Sequence, residues 1–271
     1  MPKIYIYVLL AMIGACLGSF INVVALRTLS GGDCVRAPST CFACPRRLGF
    51  GENLPIIGWF RRGGYCACGD RRIPVRYLGV ELVLGGLLPL AFWQLDLAVF
   101  VSFLPFILMA SVIFLTDLES FIIPDRVSLG GMVLGLVLAT ADAPGLPSLQ
   151  QAVYGGVGGF ALIYAINAVY KLLRKRDSMG FGDVKLMAML GVWFGPVSLL
   201  PILFAASMAG AVFGIVMILL ARTAQAYQPD HQSEWGADRA PIKIPMQVPF
   251  GCFLVPAAFG WLLFVPHALL A

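Results

Sequence analysis

Apolar and polar positions along this chain fall in long blocks rather than in a short alternation. Apolar runs occupy residues 4–26, 77–95, 97–116, 127–141, 150–170, 184–197, 199–221 and 248–270. Most approach the roughly 20 residues a helix needs to cross about 30 Å of hydrocarbon. The pattern predicts an all-α polytopic membrane protein with about eight transmembrane helices. The sixth run is short, and the Gly195-Pro196 pair breaks the chain between it and the seventh. The first run could be mistaken for a lipoprotein signal, because Ile13-Gly14-Ala15-Cys16 resembles a cleavage box. Its apolar stretch continues to Leu26, however, which predicts an uncleaved first helix.

Between the first two runs lies a polar stretch rich in Gly, Pro, Cys and Arg, with no helical periodicity. Three units are expected: a first helix at 1–27, a cytoplasmic Cys-rich domain at 28–76, and a bundle of about seven helices at 77–271. A second polar connection, 222–247, reads as a loop. Composition agrees with the block pattern. At 59% hydrophobic and 12% charged, the chain is too apolar for a soluble globular domain.

The net charge of +5 gains its meaning from where the cations lie. Alternate loops hold nine (27–76), one (Arg126), five (171–185) and three (222–247) Lys or Arg residues. On the opposite side only Lys3 is cationic. The positive-inside rule then places 18 of 19 cations in the cytoplasm and both termini on the opposite side of the membrane. The basic balance is a matter of topology, with membrane lipids as neighbours and no nucleic-acid partner.

Five of the seven cysteines, Cys34, Cys41, Cys44, Cys66 and Cys68, share the 28–76 segment. The cytosol disfavours a disulfide framework. Cys41-Phe42-Ala43-Cys44 followed some twenty residues later by Cys66-Ala67-Cys68 has the spacing of a four-thiolate structural zinc site. Metal would also supply the staple that so small a domain needs. The second pair is one residue short of the usual Cys-X-X-Cys, and Cys34 is a substitute ligand. The remaining two, Cys16 and Cys252, read as small buried thiols.

Carboxylates are costly near hydrocarbon, so those at the ends of apolar runs point to function. Asp117 closes the third helix in TDLESFIIPD, Asp125 ends that motif, and Asp183 enters the sixth helix after Gly180-Phe181-Gly182. The topology puts all three on the cytoplasmic face. Two carboxylates sharing a proton can run aspartic proteolysis, one activating water while the other protonates the substrate. Glycines beside them would let a substrate backbone approach. Glu81, after Arg76-Tyr77, is open to two readings, an arginine pair at headgroup level or a site residue. The helix macrodipole favours charge on Asp183, at a helix N-terminus, over Asp117, at a C-terminus. Lys185 is expected to add to that bias.

These motifs in this order resemble the type IV prepilin peptidases, a family of GxGD-type intramembrane aspartic proteases. The resemblance rests on GSFINVVALR (18–27), the Cys-X-X-Cys, ENLPIIGW (52–59), RYLGVEL (76–82), the two aspartates of 117–125, GFGDVKLMAMLGVWFG (180–195) and VPFGCFL (248–254). It implies Asp117 and Asp183 as the catalytic pair. Asp125, Gly180, Gly182 and Lys185 would support them, and no metal would take part in proteolysis. The substrate would be a prepilin or pseudopilin whose short basic leader is cut at the cytoplasmic face. The long 28–76 segment implies the bifunctional subgroup, which methylates the new N-terminus with S-adenosylmethionine. Gly64 and Glu81 would lie in the methyl-transfer region. The sequence departs from the family pattern at the second cysteine pair and at Cys252, where proline is usual. Two other readings stand beside this one. A proton-coupled transporter would use the aspartates as a relay, and a noncatalytic zinc-anchored scaffold would serve a secretion machine.

Overall fold

The computed structural model describes residues 2–30, 49, 51, 54–66, 68–69, 71–175, 180–226 and 249–265. Its regular elements are helical: α1 (Pro2–Ser30), α2 (Ile57–Arg61), α3 (Val75–Gln94), α4 (Leu97–Ser120), α5 (Asp125–Thr140), α6 (Leu149–Arg174), α7 (Phe181–Phe194), α8 (Leu199–Ala226) and α9 (Gly251–Phe264). Apart from the short α2, eight helices among the described residues occupy the eight apolar runs. Five of them (α1, α3, α4, α6 and α8) are long and apolar enough to cross a membrane. Helices α5, α7 and α9 are shorter. The 14 residues of α7 span about 21 Å at about 1.5 Å per residue, less than the hydrocarbon thickness.

Local chemistry sets the helix boundaries. Pro74 and Pro124 precede α3 and α5, where the missing N–H costs nothing. The Ser148 hydroxyl caps α6 by accepting from Gln151 N–H. Phe121 and Lys175 end α4 and α6 in the left-handed region. Gly195, at φ 75°, ends α7, and a three-residue 3-10 turn (Pro196–Ser198) leads into α8. The break expected at Gly195-Pro196 is therefore a real boundary.

Helix α7 is the axis of the bundle. Every residue from Asp183 to Phe194 except Lys185 is buried. A helix that is apolar all round is covered either by protein or by lipid, and here neighbouring helices cover it. It packs most closely on α6, and then on α5, with α8 and α9 also touching it. The Trp193 and Phe194 rings meet Phe103 and Phe106 of α4 at 5.0–5.7 Å. The Trp193 indole N–H donates to the Gly131 carbonyl of α5 at 2.9 Å in the buried interior. The α6–α7 approach depends on glycine pairing, since a Cβ added at Gly191 would lie 2.0 Å from the Gly155 carbonyl oxygen. Such small-residue contacts bring helix backbones together where lipid gives no hydrophobic drive.

Helices α1 and α3 form a second close pair. Cys16, expected to be buried, lies exposed on the outside of α1, because the side facing α3 is taken by Gly14 and Gly18. On α8, Leu200, Phe204, Met208, Val212 and Ile215 form an exposed apolar stripe of the kind lipid covers.

Candidate active site

Asp117 stands three residues before the end of α4, and Asp183 is the third residue of α7. The C-terminal end of one helix and the N-terminal end of the other therefore meet at one face of the bundle. Both side chains are largely enclosed, 4% and 9% exposed, and their carboxylates lie close enough to interact electrostatically. The two aspartates singled out in the sequence, 66 positions apart, are thus brought together.

The Gly-X-Gly turn acts on Asp183 directly. Gly180 is the N-cap of α7, and the Asp183 carboxylate reaches back to its N–H. This is the side-chain half of a capping box, which orients the carboxylate along the start of the helix. Gly182 faces Ile123 so closely that a Cβ there would lie 3.0 Å from the Ile123 Cβ. Gly180 and Phe181 are exposed, leaving the turn open on its outer side.

Asp125 and Lys185 do not join the buried pair. The Lys185 ammonium donates to Asp125 Oδ1 at 2.6 Å, in an ion pair whose carboxylate side chain is 62% exposed. Lys185 was expected to act on Asp183, but its ammonium pairs with Asp125 instead. Two residues along a helix turn a side chain about 200°, so Lys185 points away from its sequence neighbour. This pair ties the start of α5 to the second turn of α7.

A third element reaches the site from the far end of the chain. Helix α9 begins beside Asp117, and the Cys252 backbone N–H donates to Asp117 Oδ2 at 2.9 Å. The neighbouring Gly251 N–H also faces this carboxylate. A Cβ at Gly251 would lie 2.7 Å from Oδ2, which only glycine avoids. Helix polarity read from the sequence left Asp117 at a C-terminus alone. The fold also sets it against the N-terminus of α9, so the dipole argument for Asp183 as the charged member does not stand. The sequence signal for this contact was the VPFGCFL motif, which marks the start of a helix but not what that start touches.

Glu81 and Gly64 converge on one loop. Glu81 Oε2 accepts from Ile56 N–H at 2.7 Å, and Gly64 lies against the Trp59 ring, where a Cβ would come within 2.8 Å. Ile56 has φ 61°, a conformation costly for a β-branched residue and held here by that carboxylate. Of the two readings left open for Glu81, the pair with Arg76 is not the contact seen among the described residues. Arg76 is paired with Glu119 of α4 instead.

Of the four expected zinc ligands, Cys41 and Cys44, like the substitute Cys34, lie outside the described residues. Cys66 begins a tight turn in which the Gly69 N–H donates to its carbonyl and Gly69 takes φ 79°. An antiparallel bridge between Tyr65 and Arg72 closes this turn. The Cys66 sulfur is engaged in a disulfide, and Cys68 is half-buried within the turn. No group of three or more His, Cys, Asp or Glu among the described residues is placed to hold a metal. The described part thus gives the zinc expectation no support of its own.

Comparison with known proteins decides the family. A model described as the type IV leader peptidase family matches residues 103–215, which include both buried aspartates. A bacterial peptidase A24 N-terminal domain matches residues 12–95. The prepilin leader peptidase/N-methyltransferase of Neisseria gonorrhoeae is 34% identical over 236 residues, covering 77% of this chain and 81% of that protein. This chain belongs to the type IV leader peptidase family. The protein of the same name from Myxococcus xanthus is 32% identical over 272 residues, covering 97% of this chain and 77% of that protein. The one from Dickeya chrysanthemi is 30% identical over 234 residues. No solved structure matches the chain. Within this leader peptidase, Gly64 and Glu81 fall inside the N-terminal match and Asp117, Asp125 and Asp183 inside the second. The start of α9 lies beyond both.

Proposed function

We propose that this leader peptidase removes the basic leader from a prepilin or pseudopilin with the Asp117–Asp183 pair and then methylates the new N-terminus. The observation that carries the proteolytic half is the meeting of two enclosed carboxylates from α4 and α7 in one bundle end. One aspartate, ionised, takes a proton from water, whose oxygen attacks the scissile carbonyl. The other, protonated, donates to the carbonyl oxygen as the tetrahedral intermediate forms. Collapse breaks the C–N bond: the proton first taken from water passes to the leaving amine, and a hydroxyl of the intermediate returns its proton to the second aspartate, which leaves a carboxylic acid and restores the pair. Burial makes each transfer count, since a low-dielectric surrounding strengthens the electrostatics of the reacting groups. The open outer side of the Gly180–Gly182 turn gives an extended substrate backbone a way in.

Topology supports the same reading. The positive-inside pattern puts this face in the cytoplasm, where a basic leader would lie beside its own apolar helix. The order of units, a first helix, a Cys-rich segment at 28–76 and a helical bundle, is the one expected for an enzyme with both activities. The names of the relatives support the second activity. S-adenosylmethionine would be its methyl donor. The strained loop at Leu54–Trp59, gripped by Glu81 and backed by Gly64, is the part of the N-terminal region we assign to methyl transfer. Structural zinc at Cys41, Cys44, Cys66 and Cys68 rests on spacing alone. A disulfide at Cys66 and a thiolate site are alternative states of such sulfurs.

The test is to incubate purified enzyme with a prepilin leader peptide and labelled methyl donor, following cleavage and methylation separately. Asp117→Asn and Asp183→Asn each abolish cleavage while the protein stays inserted and folded. Both variants methylate a peptide supplied already cleaved. Leader removal at near wild-type rate in either variant overturns the pair.

A further inference from the structure

We propose that the N-terminus of α9 is a positioning element for catalysis. Through the Cys252 backbone N–H it orients Asp117 and keeps that residue the ionised, water-activating member of the pair. This inference rests on the aspartate pair proposed above and adds the roles within it.

Asp117 Oδ2 accepts from Cys252 N–H at 2.9 Å, and the Gly251 N–H faces the same carboxylate. Among the described residues, Asp183 has the Gly180 N–H alone. Hydrogen bonds from backbone N–H groups favour the charged form of a carboxylate. The N-terminal end of a helix adds a favourable field within its first turn. Asp183 also has such a field, from α7, so the macrodipole does not separate the two. The extra donors on Asp117 do.

The other titratable groups leave this balance in place. From the packed elements, Asp117 meets Asp183 of α7 and the Cys252 thiol of α9, which also lies within hydrogen-bond reach of it, so Cys252→Ala reads any share the thiol has. Glu119 on its own helix is paired with Arg76 of α3. Asp125 of α5 is paired with Lys185 of α7. Among the described residues, the groups that act on Asp183 include no cation.

Geometry supports a built contact. Gly251 has no side chain where a Cβ would strike Oδ2 at 2.7 Å. Cys252 is itself anchored, its thiol donating to the Phe114 carbonyl one turn earlier on α4. It is the second residue of α9, so its N–H has no partner within the helix and is free to be given to Asp117. Proline at this position would fit the first turn of a helix but has no N–H. The departure at Cys252 noted in the sequence therefore adds a donor to the site.

The experiment separates the N–H from the side chain. Cys252→Pro removes the donor, and Cys252→Ala keeps it while removing the thiol. In an Asp183→Asn background, infrared difference spectra against the Asp117→Asn, Asp183→Asn double variant isolate the Asp117 carboxylate. Cys252→Pro should raise its titration midpoint by about one pH unit, tenfold in the proton equilibrium. With Asp183 intact, the kcat loss of Cys252→Pro should exceed that of Cys252→Ala by tenfold or more, with KM for the leader peptide within about twofold. If Cys252→Pro does not fold, Gly251→Ala pushes the carboxylate off the same donor and must raise the midpoint likewise. An unmoved midpoint, or an equal movement in Cys252→Ala, overturns the proposal. Inactivity of Asp117→Asn would still uphold the pair, so the two readings fail separately.

Discussion

Replacing Gly191 by alanine tests whether α6 fixes the position of the catalytic helix. A methyl group there would lie 2.0 Å from the Gly155 carbonyl oxygen, whereas carbon and oxygen rest in contact at about 3.3 Å. Backbone blocks the methyl on the α6 side, so no side chain can swing away. The helices must part by about 1.3 Å at this point if the clash is relieved by translation alone. Overpacking of this kind costs about 1–3 kcal/mol. Gly191 lies two turns beyond Asp183 on the same helix, so a rigid shift of α7 moves Asp183 relative to Asp117. Misplacement of a reacting group by about 1 Å can lower the rate about 100-fold. The assay is leader-peptide cleavage in lipid nanodiscs together with thermal unfolding of the same samples. Expected are a lowered Tm, a kcat lowered by about 10- to 100-fold and a nearly unchanged KM. Gly130→Ala is the control, since its Cβ would meet only the Met109 methyl at an ordinary 3.9 Å. It should be neutral, or stabilising by up to about 1 kcal/mol, as alanine usually is over glycine within a helix. A Gly191→Ala enzyme with wild-type Tm and kcat would show that the α6–α7 contact does not position Asp183.

Trp193→Phe should lower stability by about 1–3 kcal/mol, because it removes the indole hydrogen bond to the Gly131 carbonyl and leaves a smaller ring in a fully buried site; thermal unfolding beside a Gly135→Ala comparison reads this. For Asp125 and Lys185, a double-mutant cycle should give a coupling of about 0.2–1 kcal/mol, since the carboxylate side is well exposed. Cleavage by Lys185→Met should fall less than tenfold, and a loss as deep as that of Asp183→Asn would place Lys185 in the chemistry after all. Elemental analysis of protein purified under reducing conditions without chelators should find one zinc per chain. Its absence would sink the four-cysteine site, and full zinc binding by Cys68→Ser would pass the fourth ligand to Cys34.

Much of this protein is legible before it folds. Apolar blocks of this length predict helices, and eight helices among the described residues occupy them, with breaks at Pro74, Pro124 and Gly195. The paired aspartates were visible for a related reason, because an acidic residue at the edge of an apolar run is costly enough to be conspicuous. What the linear chain could not say is which groups meet across helices. Lys185 sits two residues from Asp183 yet bonds to Asp125, 60 residues away. Glu81 sits near Arg76 yet holds Ile56, while Arg76 pairs with Glu119. Cys252 looked like a spare thiol, and its N–H turned out to reach Asp117 across 135 residues. Each of these depends on helix rotation and approach, set by where glycines let backbones come together. Hydropathy carries the identity of the helices in every residue. The electrostatics of the site come from a few contacts at helix ends, and only the packed bundle decides them.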